Sequence, residues 1–415
     1  MLDIRFIKEN PDLVQAHAEK KGYKVNISEL LDLYAQSVEL GQKQDALREE
    51  KNSLSATQGA GRPSDEVIER GRALRDEIQQ NEEAFSNATK AYQDSLWQIP
   101  NILQDDVPIG GEEDSVEIKK WGDQTSGAID HLDFATKRDW VDFERGAKVA
   151  GAKFYYLKGD LALLENAITQ FALNLVLSKG FTYLTVPALV NSKTATGTGF
   201  TPRTSDQNDE YYIEGEDLTL IATAEIPITG YHADEIIDEA ELPLFYVGYS
   251  PSFRKEAGTY GKHARGLFRV HQFNKLEMYA FTTPEQSKEV HEKILSIEEE
   301  IWQAIGIPYH VINIASGDLG APASKKYDLE YWSPVDEVYR ELTSASNCTD
   351  FQARNLNIRV RRTESGKVET LHTLNGTAVS LARSLVAIIE HYQNADGTLR
   401  VPTVLQPYLG GRTQL

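Results

Sequence analysis

Four stretches of the chain carry polar side chains inside segments whose alternation is typical of strands in a sheet. They are Thr223-Ala224-Glu225, the segment 253–281, Glu341-Leu342-Thr343-Ser344, and Asn375-Gly376-Thr377 continuing to Arg383. A lone Glu or Arg of this kind is typical of a solvated strand face, but the residue types together match one kind of ligand. Arginine fits phosphate and carboxylate oxygens, an aromatic ring stacks on a flat base, and glutamate pairs with an amine. The set predicts a site for a ligand with phosphates, a planar ring and an amino group.

The segment 253–281 predicts an antiparallel hairpin that the other three stretches surround. Two runs with strand-like alternation flank a glycine-rich, basic loop, TYGKHARG. Because side chains two apart in a strand share a face, Arg254 and Glu256 are expected on one face of the first arm. The second arm divides into a polar face and an apolar core face. The polar face comprises Arg269, His271, Phe273, Lys275 and Glu277. The apolar core face comprises Phe268, Val270, Leu276, Met278 and Ala280.

Size and composition exclude several classes of protein. A chain of 415 residues is long enough for two or three domains, and its net charge of −20 argues against a general nucleic-acid binder. A single cysteine, Cys348, excludes an internal disulfide, and the nine scattered histidines lack metal-ligand spacing, so no structural zinc is expected. No run has the composition of a signal peptide or approaches the roughly 20 apolar residues of a membrane span. We therefore expect a cytoplasmic protein with no membrane partner.

The N-terminal region predicts two long antiparallel helices. From Leu30 to Leu54 leucines fill most of an a/d pattern, with gaps at Ser37, Gln44 and Lys51. A second such pattern runs over residues 67–95, and Ser64 before it is a candidate N-cap. At about 1.5 Å per residue, each helix would be on the order of 40 to 50 Å long and would project from a compact body. An ordinary pair of bundle helices is the alternative interpretation.

A linker rich in proline, glycine and acidic residues follows Trp97, and we place the domains at 1–105 and 106–415. In the second domain a helix is expected from Asp160 to about Ser178, stopped by Gly180, and then a strand that ends at Pro187. Strands cluster through the middle with helices around them. This order predicts an α+β fold with an antiparallel sheet.

The ordered motifs resemble those of the seryl-tRNA synthetases, which are class II aminoacyl-tRNA synthetases. The resemblance covers nearly the whole chain and runs through MLDIRFIKENPDLV, LREEKNSLS, GTGFTP, TAEIP, FRKEAG, RGLFRVHQFNKLEM, SGDLGAPASKKYDLEYWSP, ELTSASNCTDFQARN and LNGTAVSLAR. It implies a class II antiparallel sheet flanked by helices, and an N-terminal coiled-coil arm that binds tRNA. It also implies a homodimer formed through the helix and strand of residues 160–187. The implied activity is ATP-dependent attachment of L-serine to tRNA(Ser) through seryl-adenylate, and to tRNA(Sec) where that is present.

The resemblance also implies roles for individual residues. Arg254 would hold the ATP α-phosphate and the serine carboxylate, Glu256 the adenine amino group, and Phe273 the adenine ring. Arg383 would hold the γ-phosphate, and we assign catalytic roles to Arg254, Glu341 and Arg383. The wider sets are, for ATP, Arg254, Lys255, Glu256, Phe273, Glu341, Leu342, Thr343, Ser344 and Arg383, and, for serine, Thr223, Ala224, Glu225, Arg254, Glu277 and Thr377.

The implied metal is Mg²⁺, with Glu341 and Ser344 as ligands. Their odd spacing gives them opposite parity in a strand, so both reach one metal only through a bulge or a strand end. The loop TYGKHARG is expected to act as a flap, in which Lys262, His263 and Arg265 contact ATP or the acceptor end of the RNA.

Two departures from the family pattern stand out. The last motif has Ala378 and Ala382 where glycines are usual, which we interpret as close packing. The arm tip, SATQGAGRP, is less basic than expected, which disfavours RNA contact at the tip.

The sequence leaves two less favoured alternatives for the function. A class II paralogue that loads a small amino acid onto a carrier protein would be expected to lack the RNA arm. A coiled-coil interaction protein with an inactive body is disfavoured because Arg254, Glu277, Glu341 and Arg383 are all present.

Overall fold

The computed structural model describes residues 1–56, 64–199, 210–256 and 266–415, which form two compact units, Met1–Pro100 and Asn101–Leu415. The helices within these residues are α1 (Ile4–Glu9), α2 (Pro11–Lys20), α3 (Ile27–Ala56), α4 (Asp65–Trp97), α5 (His131–Lys137), α6 (Phe143–Ala150), α7 (Asp160–Ser178), α8 (Ser192–Gly197), α9 (Glu225–Tyr231), α10 (Ser287–Ile305), α11 (Phe351–Asn355) and α12 (Leu381–Tyr392). The strands are β1 (Val116–Trp121), β2 (Val141–Asp142), β3 (Tyr156–Leu157), β4 (Thr182–Thr185), β5 (Leu189–Val190), β6 (Thr219–Leu220), β7 (Ile236–Asp238), β8 (Leu244–Phe253), β9 (Gln272–Thr282), β10 (Tyr309–Asn313), β11 (Lys325–Ser333), β12 (Val338–Thr349), β13 (Arg359–Arg361), β14 (Val368–Thr370) and β15 (His372–Ser380). The predictions for the arm tip, for most of the GTGFTPRTSD loop, and for Lys262, His263 and Arg265 lie outside the described residues.

Helices α3 and α4 confirm the predicted antiparallel pair in the N-terminal unit. The hydroxyls of Ser37 and Thr89 lie 3.0 Å apart, and Asn81 Nδ2 donates to Gln44 Oε1 at 2.7 Å. Two of the gaps in the leucine pattern, Ser37 and Gln44, are therefore buried positions of the seam that carry hydrogen bonds. Ser64 caps α4 as predicted, since its side chain accepts from the Val67 N–H.

The second unit is built on an eight-stranded sheet with the order β1-β10-β11-β12-β15-β9-β8-β4. Only β4 and β8 pair in parallel within it, so the predicted α+β fold with an antiparallel sheet is confirmed. Helices α7, α10 and α12 contribute to the main apolar core together with one face of the sheet. Helix α9, helix α11 and the adjoining strands form a second core, whose large side chains include Tyr279 and Phe281.

The hairpin is present, but its arms are shorter than the sequence indicated. Within β9 the parity is confirmed, because Leu276, Met278 and Ala280 are fully buried in the main core. Strand β8 ends at Phe253 and β9 begins at Gln272, so Arg254, Glu256, Arg269 and His271 lie in the connection rather than on strand faces. Alternation carries no information where the backbone leaves the strand conformation.

Phe268 lies outside the strands of the hairpin, although it packs against the main core as predicted. It belongs to a short 3-10 turn, Gly266–Phe268, and its ring lies under the Arg383 guanidinium with the ring centroid 5.0 Å from Cζ. Gly266 has φ +65°, and a Cβ there would lie 2.4 Å from His131 Nε2, so this turn requires glycine. The turn directs the Phe268 ring towards the polar cleft described below.

One helix within the described residues, Gly159–Ser178, is long and apolar enough to span a membrane by length and composition alone. The sequence predicted no segment approaching the length of a membrane span. Leu161, Leu164 and Ile168 are completely buried, whereas Leu163 is 49% exposed. The helix packs on α12 and on the sheet, as a core helix does, and leaves an apolar strip at the surface.

Candidate active site

A polar cleft lies where β9, β12, β15 and the first turn of α12 meet. Nine of the predicted site residues line it: Arg254, Glu256, Phe273, Glu341, Leu342, Thr343, Ser344, Thr377 and Arg383. Residues without a predicted role also line it, among them Phe268, Arg269 and Lys275. The four polar stretches of the sequence thus come together at one place, although Thr223, Ala224, Glu225 and Glu277 lie beside the cleft rather than in its lining.

Arg383 and Glu341 form one end of the cleft. Arg383 Nη1 lies 3.1 Å from Glu341 Oε2 and also donates to the Glu341 carbonyl oxygen at 3.3 Å. Burial opposes ionisation of the Glu341 carboxyl, but the charges of Arg383 and Lys326 outweigh it and lower its pKa. At this end of the cleft, the Arg383 guanidinium is therefore fixed over the Phe268 ring, and the Glu341 carboxylate stays charged.

A bulge in β12 places Glu341 and Ser344 on one face. Ser344 lies opposite Asp328 of β11, Thr343 opposite Leu329, and Glu341 opposite Glu330, so Leu342 is the extra residue. Because Asp328 and Glu330 are two apart and share a face, their partners Ser344 and Glu341 share it as well. The bulge that the spacing of these two residues required is thus present.

Asp328, which the sequence analysis missed, adds a third oxygen donor near the bulge. Its Oδ2 lies 3.1 Å from Lys326 Nζ, while its buried Oδ1 accepts no hydrogen bond from a described residue. Burial raises the pKa of the Asp328 carboxyl; the Lys326 charge opposes this rise and the Glu341 carboxylate reinforces it. The sequence signal that could have identified Asp328 is its spacing of two from Glu330 in the YDLEYW run, which places both on one face of the strand.

The other end of the cleft combines arginine with an aromatic ring. Arg254 Cζ lies 5.3 Å from the centroid of the Phe273 ring, which is a cation–π distance. The Arg254 N–H donates to the His271 carbonyl oxygen at 3.0 Å, which ties together the two ends of the hairpin connection. Glu256, with the unusual φ of +52°, forms an ion pair with Arg269. Lys255 does not line the cleft, and its ammonium lies over the rings of Tyr211 and Tyr212.

A buried cluster of mixed charge adjoins this end. Lys275 Nζ lies 2.7 Å from Glu277 Oε2, and Thr377 Oγ1 donates to the same oxygen at 3.3 Å. Lys275 and Glu277 are both nearly inaccessible to solvent. Sequence parity placed Lys275 on this face without giving it a role. A buried ion pair with further hydrogen bonds presents fixed charges to a small polar ligand.

Glu225 stands at the start of α9, and a network of amides holds it. Its Oε1 accepts from Gln352 Nε2 at 2.7 Å and from Asn375 Nδ2 at 2.9 Å. The Thr223 hydroxyl accepts from the Glu225 N–H at 3.3 Å, and Ala224 between them is completely buried. Burial, reinforced by the charge of Glu277, raises the pKa of the Glu225 carboxyl to about 7, against the opposing effects of Gln352, Lys275 and Arg254. Gln352 was missed because it lies on α11, where strand parity gives no signal.

Glu298 of α10 supports the cleft from the opposite face of the sheet. Thr343 donates its hydroxyl to Glu298 Oε2 at 2.7 Å, and burial raises the pKa of this carboxyl well above its ordinary value. A Cβ on Gly376 would lie 2.8 Å from Glu298 Oε1 and 2.2 Å from Ile294 Cγ2. Glycine at 376 is therefore what allows β15 and α10 to approach this closely.

Asp130, His131 and Glu390 form a group with metal-ligating atoms within 4.8 Å of one another. Each side chain of this group already has hydrogen bonds to the protein. His131 Nε2 accepts from the Leu267 N–H at 3.3 Å, its Nδ1 lies 3.2 Å from Glu390 Oε1, and Glu390 Oε2 accepts from Tyr331 and Ser333. The group anchors the turn that carries Phe268, next to Arg383.

Comparisons with known proteins cover the whole chain. The family model described as the seryl-tRNA synthetase N-terminal domain matches residues 1–103, and that of the class II core domain of the G, H, P, S and T tRNA synthetases matches residues 208–392. The serine–tRNA ligases of Dictyoglomus turgidum and Treponema denticola are 44% and 41% identical to the chain over 99% of its length, covering 98% and 99% of those proteins.

Two solved structures have the same fold over the full length. A seryl-tRNA synthetase from Pyrococcus horikoshii complexed with ATP is 40% identical with a TM-score of 0.88, covering 100% of this chain and 99% of that one. A cytoplasmic serine–tRNA ligase from Naegleria fowleri in complex with AMP is 32% identical with a TM-score of 0.83, covering 100% and 98%. Fold, motif order and full-length identity agree, and the chain belongs to the seryl-tRNA synthetase family of class II aminoacyl-tRNA synthetases.

Proposed function

We propose that this protein attaches L-serine to tRNA(Ser) with ATP, in two steps through seryl-adenylate. The observation that carries the proposal is the meeting of two cleft arginines, Arg254 and Arg383, with the buried acids Glu225 and Glu277. Arginines suit the phosphates and the carboxylate, and the acids suit the ammonium and hydroxyl groups of serine. The relatives that bind ATP and AMP in the solved structures support the choice of nucleotide.

In the first step, the serine carboxylate oxygen attacks the α-phosphorus of ATP, the bond to the bridging oxygen breaks, and pyrophosphate leaves. Arg254 would hold the α-phosphate and the attacking carboxylate, Phe273 the adenine ring, and Arg383 the γ-phosphate. Glu256 would meet the adenine amino group, and Lys255 belongs to the proposed ATP set although it lies away from the cleft. Positioning and charge stabilisation are sufficient for this chemistry, so no general base is assigned. In the second step, a ribose hydroxyl of the tRNA takes the seryl group and AMP leaves.

The residues of the bulge fit a magnesium ion. Glu341 and Ser344 offer oxygen donors on one face, and the lowered pKa of the Glu341 carboxyl keeps it charged. When bound, Mg²⁺ would neutralise phosphate charge as pyrophosphate leaves. Leu342 and Thr343 complete this wall, and Thr343 is fixed from behind by Glu298.

Selection of serine follows from the buried pocket. The serine hydroxyl would pair with Glu277 and Thr377, and the ammonium with Glu225 beside Thr223 and Ala224. Alanine would leave buried polar groups unpaired, a loss that supports discrimination of roughly 10⁴-fold. Exclusion of threonine would require a lack of room for its methyl group.

The N-terminal unit supplies the proposed tRNA contact. Helices α3 and α4 would reach the long variable arm of tRNA(Ser), with the domains divided at 1–105 and 106–415. We also propose a homodimer in which the apolar strip of α7, including the exposed Leu163, is covered by a second copy. A cytoplasmic location and serylation of tRNA(Sec) belong to the same proposal.

Amino-acid-dependent exchange between ATP and pyrophosphate tests the adenylation step. A panel of serine, alanine, threonine and glycine should give exchange with serine and very little with the other three. Exchange supported only by another amino acid would overturn the assignment.

The runner-up is a class II paralogue that loads a small amino acid onto a carrier protein. The complete α3–α4 pair disfavours it, because a carrier-protein enzyme does not need an RNA arm. Transfer of serine to an acyl carrier protein but not to tRNA would favour the paralogue.

A further inference from the structure

The amide of Gln352 joins the proposed serine pocket to the interior of the protein. Gln352 is completely buried on α11 and is 127 positions from Glu225 in the chain. Its Nε2 donates to Glu225 Oε1 at 2.7 Å and to the Thr198 carbonyl oxygen at 3.0 Å. Its Oε1 accepts from the hydroxyls of Tyr279 and Thr373, each at 2.8 Å. Both ends of the amide are thus satisfied, which fixes its orientation.

This network constrains one oxygen of Glu225 and leaves the other available. Gln352 and Asn375 both donate to Oε1, and no described residue donates a hydrogen bond to Oε2. Two donors on one oxygen set the plane of the carboxylate. The remaining oxygen is then the one that a cationic ligand meets.

We propose that Gln352 is a positioning residue for amino-acid selection, which orients the Glu225 carboxylate so that its free oxygen receives the substrate ammonium group. The inference rests on the proposed function and deepens it, since Gln352 itself touches no substrate. A carboxylate free to rotate would lose directional pairing with the ammonium and would weaken serine binding without affecting ATP.

The charged groups around Glu225 define a second readout. They are Glu277 and Lys275 of β9 and Arg254 after β8, while α11 contributes the neutral Gln352. The hydrogen bond from Gln352 lowers the pKa of the Glu225 carboxyl, so its loss moves ionisation of Glu225 to higher pH. Serine binding should therefore begin to weaken at a higher pH when this hydrogen bond is lost.

The test is Gln352→Glu in the full chain, assayed by serine-dependent exchange between ATP and pyrophosphate. This change keeps the shape and the acceptor for Tyr279 and Thr373 but replaces the amide donor to Glu225 with a second carboxyl group, whose charge also raises the pKa of Glu225. The serine KM should rise about 10- to 100-fold, as for loss of a hydrogen bond to a charged group, and the ATP KM should stay within about twofold. The midpoint of the pH profile of the serine KM should shift upward.

A matched control is Asn347→Asp, the same amide-to-acid change at another buried site. Asn347 is buried, and its Nδ2 donates to Ser287 Oγ at 2.8 Å rather than to Glu225. Its serine and ATP KM values should change together or not at all. If Gln352→Glu does not fold, Thr373→Val decides, because it removes only a donor to Gln352 and should raise the serine KM about 2- to 10-fold.

The outcomes separate the two proposals. A folded Gln352→Glu with an unchanged serine KM, an equal rise in both KM values, or an unmoved pH profile would overturn the positioning role. Wild-type protein without any serine-dependent exchange would overturn the proposed function together with this inference.

Discussion

Serine binding should depend on pH through Glu225 in a way that ATP binding does not. Burial and the charge of Glu277 raise the pKa of this carboxyl to about 7. An ammonium ligand pairs with the ionised form, so protonation of Glu225 competes with serine. With a pKa of about 7, the ionised fraction falls from about nine-tenths at pH 8 to about one-tenth at pH 6. The serine KM should therefore rise about 10-fold over this interval.

The assay is exchange between ATP and pyrophosphate from pH 8 to pH 6, with serine varied at saturating ATP and ATP varied at saturating serine. Glu225→Gln is the control, because it cannot ionise. It should bind serine about 10- to 100-fold more weakly at pH 8, and its serine KM should be nearly flat with pH. A wild-type serine KM that is constant from pH 8 to pH 6, or a Gln variant with the same slope as wild type, would refute the reasoning.

Three further predictions concern Glu298 and Gly376, which support the cleft, and Arg254, which lines it. Burial raises the pKa of the Glu298 carboxyl in the fold well above its unfolded value of about 4.3, so wild-type stability falls as pH rises above that value. Glu298→Gln should therefore raise Tm more at pH 8 than at pH 5, and an equal shift at both would contradict this. Gly376→Ala should lower the free energy of unfolding in urea by about 1–3 kcal/mol, because the new Cβ meets Ile294. Adding Ile294→Ala should recover part of that loss, whereas additive losses in the double variant would argue against the contact. Arg254→Ala should abolish exchange while circular dichroism and Tm stay close to wild type, since Arg254 follows the last residue of β8; full activity would show that the cleft was misassigned.

The sequence predicted the elements with strong periodicity and the residue types that they bring together. The a/d pattern located α3 and α4, and parity in β9 correctly assigned Met278 to the main core and Glu277 to the polar face. Both are local properties, because neighbours in a helix or strand are set by spacing of a few residues. The sequence showed only that Glu341 and Ser344 need a bulge or a strand end to share a metal. Nothing in Glu341-Leu342-Thr343-Ser344 indicates that Leu342 is the extra residue.

The parts that could not be predicted depend on distant contacts. Gln352 approaches Glu225 only because α11 and α9 pack on the same face of the sheet. Phe268 packs against the main core as predicted, but a turn fixed by Gly266 and His131 also brings its ring to Arg383, which alternation did not indicate. Parity applies only within a strand, and neither residue lies in one.

Charging of a tRNA(Ser) transcript with labelled serine tests the central claim most directly. The full chain should form seryl-tRNA in the presence of ATP and Mg²⁺, and a variant that lacks residues 36–95 should retain serine-dependent exchange but lose charging. The acidic chain would then use α3 and α4 for RNA and the cleft of the second unit for adenylation. Full charging by the shortened chain, or no charging by the full one, would contradict the account.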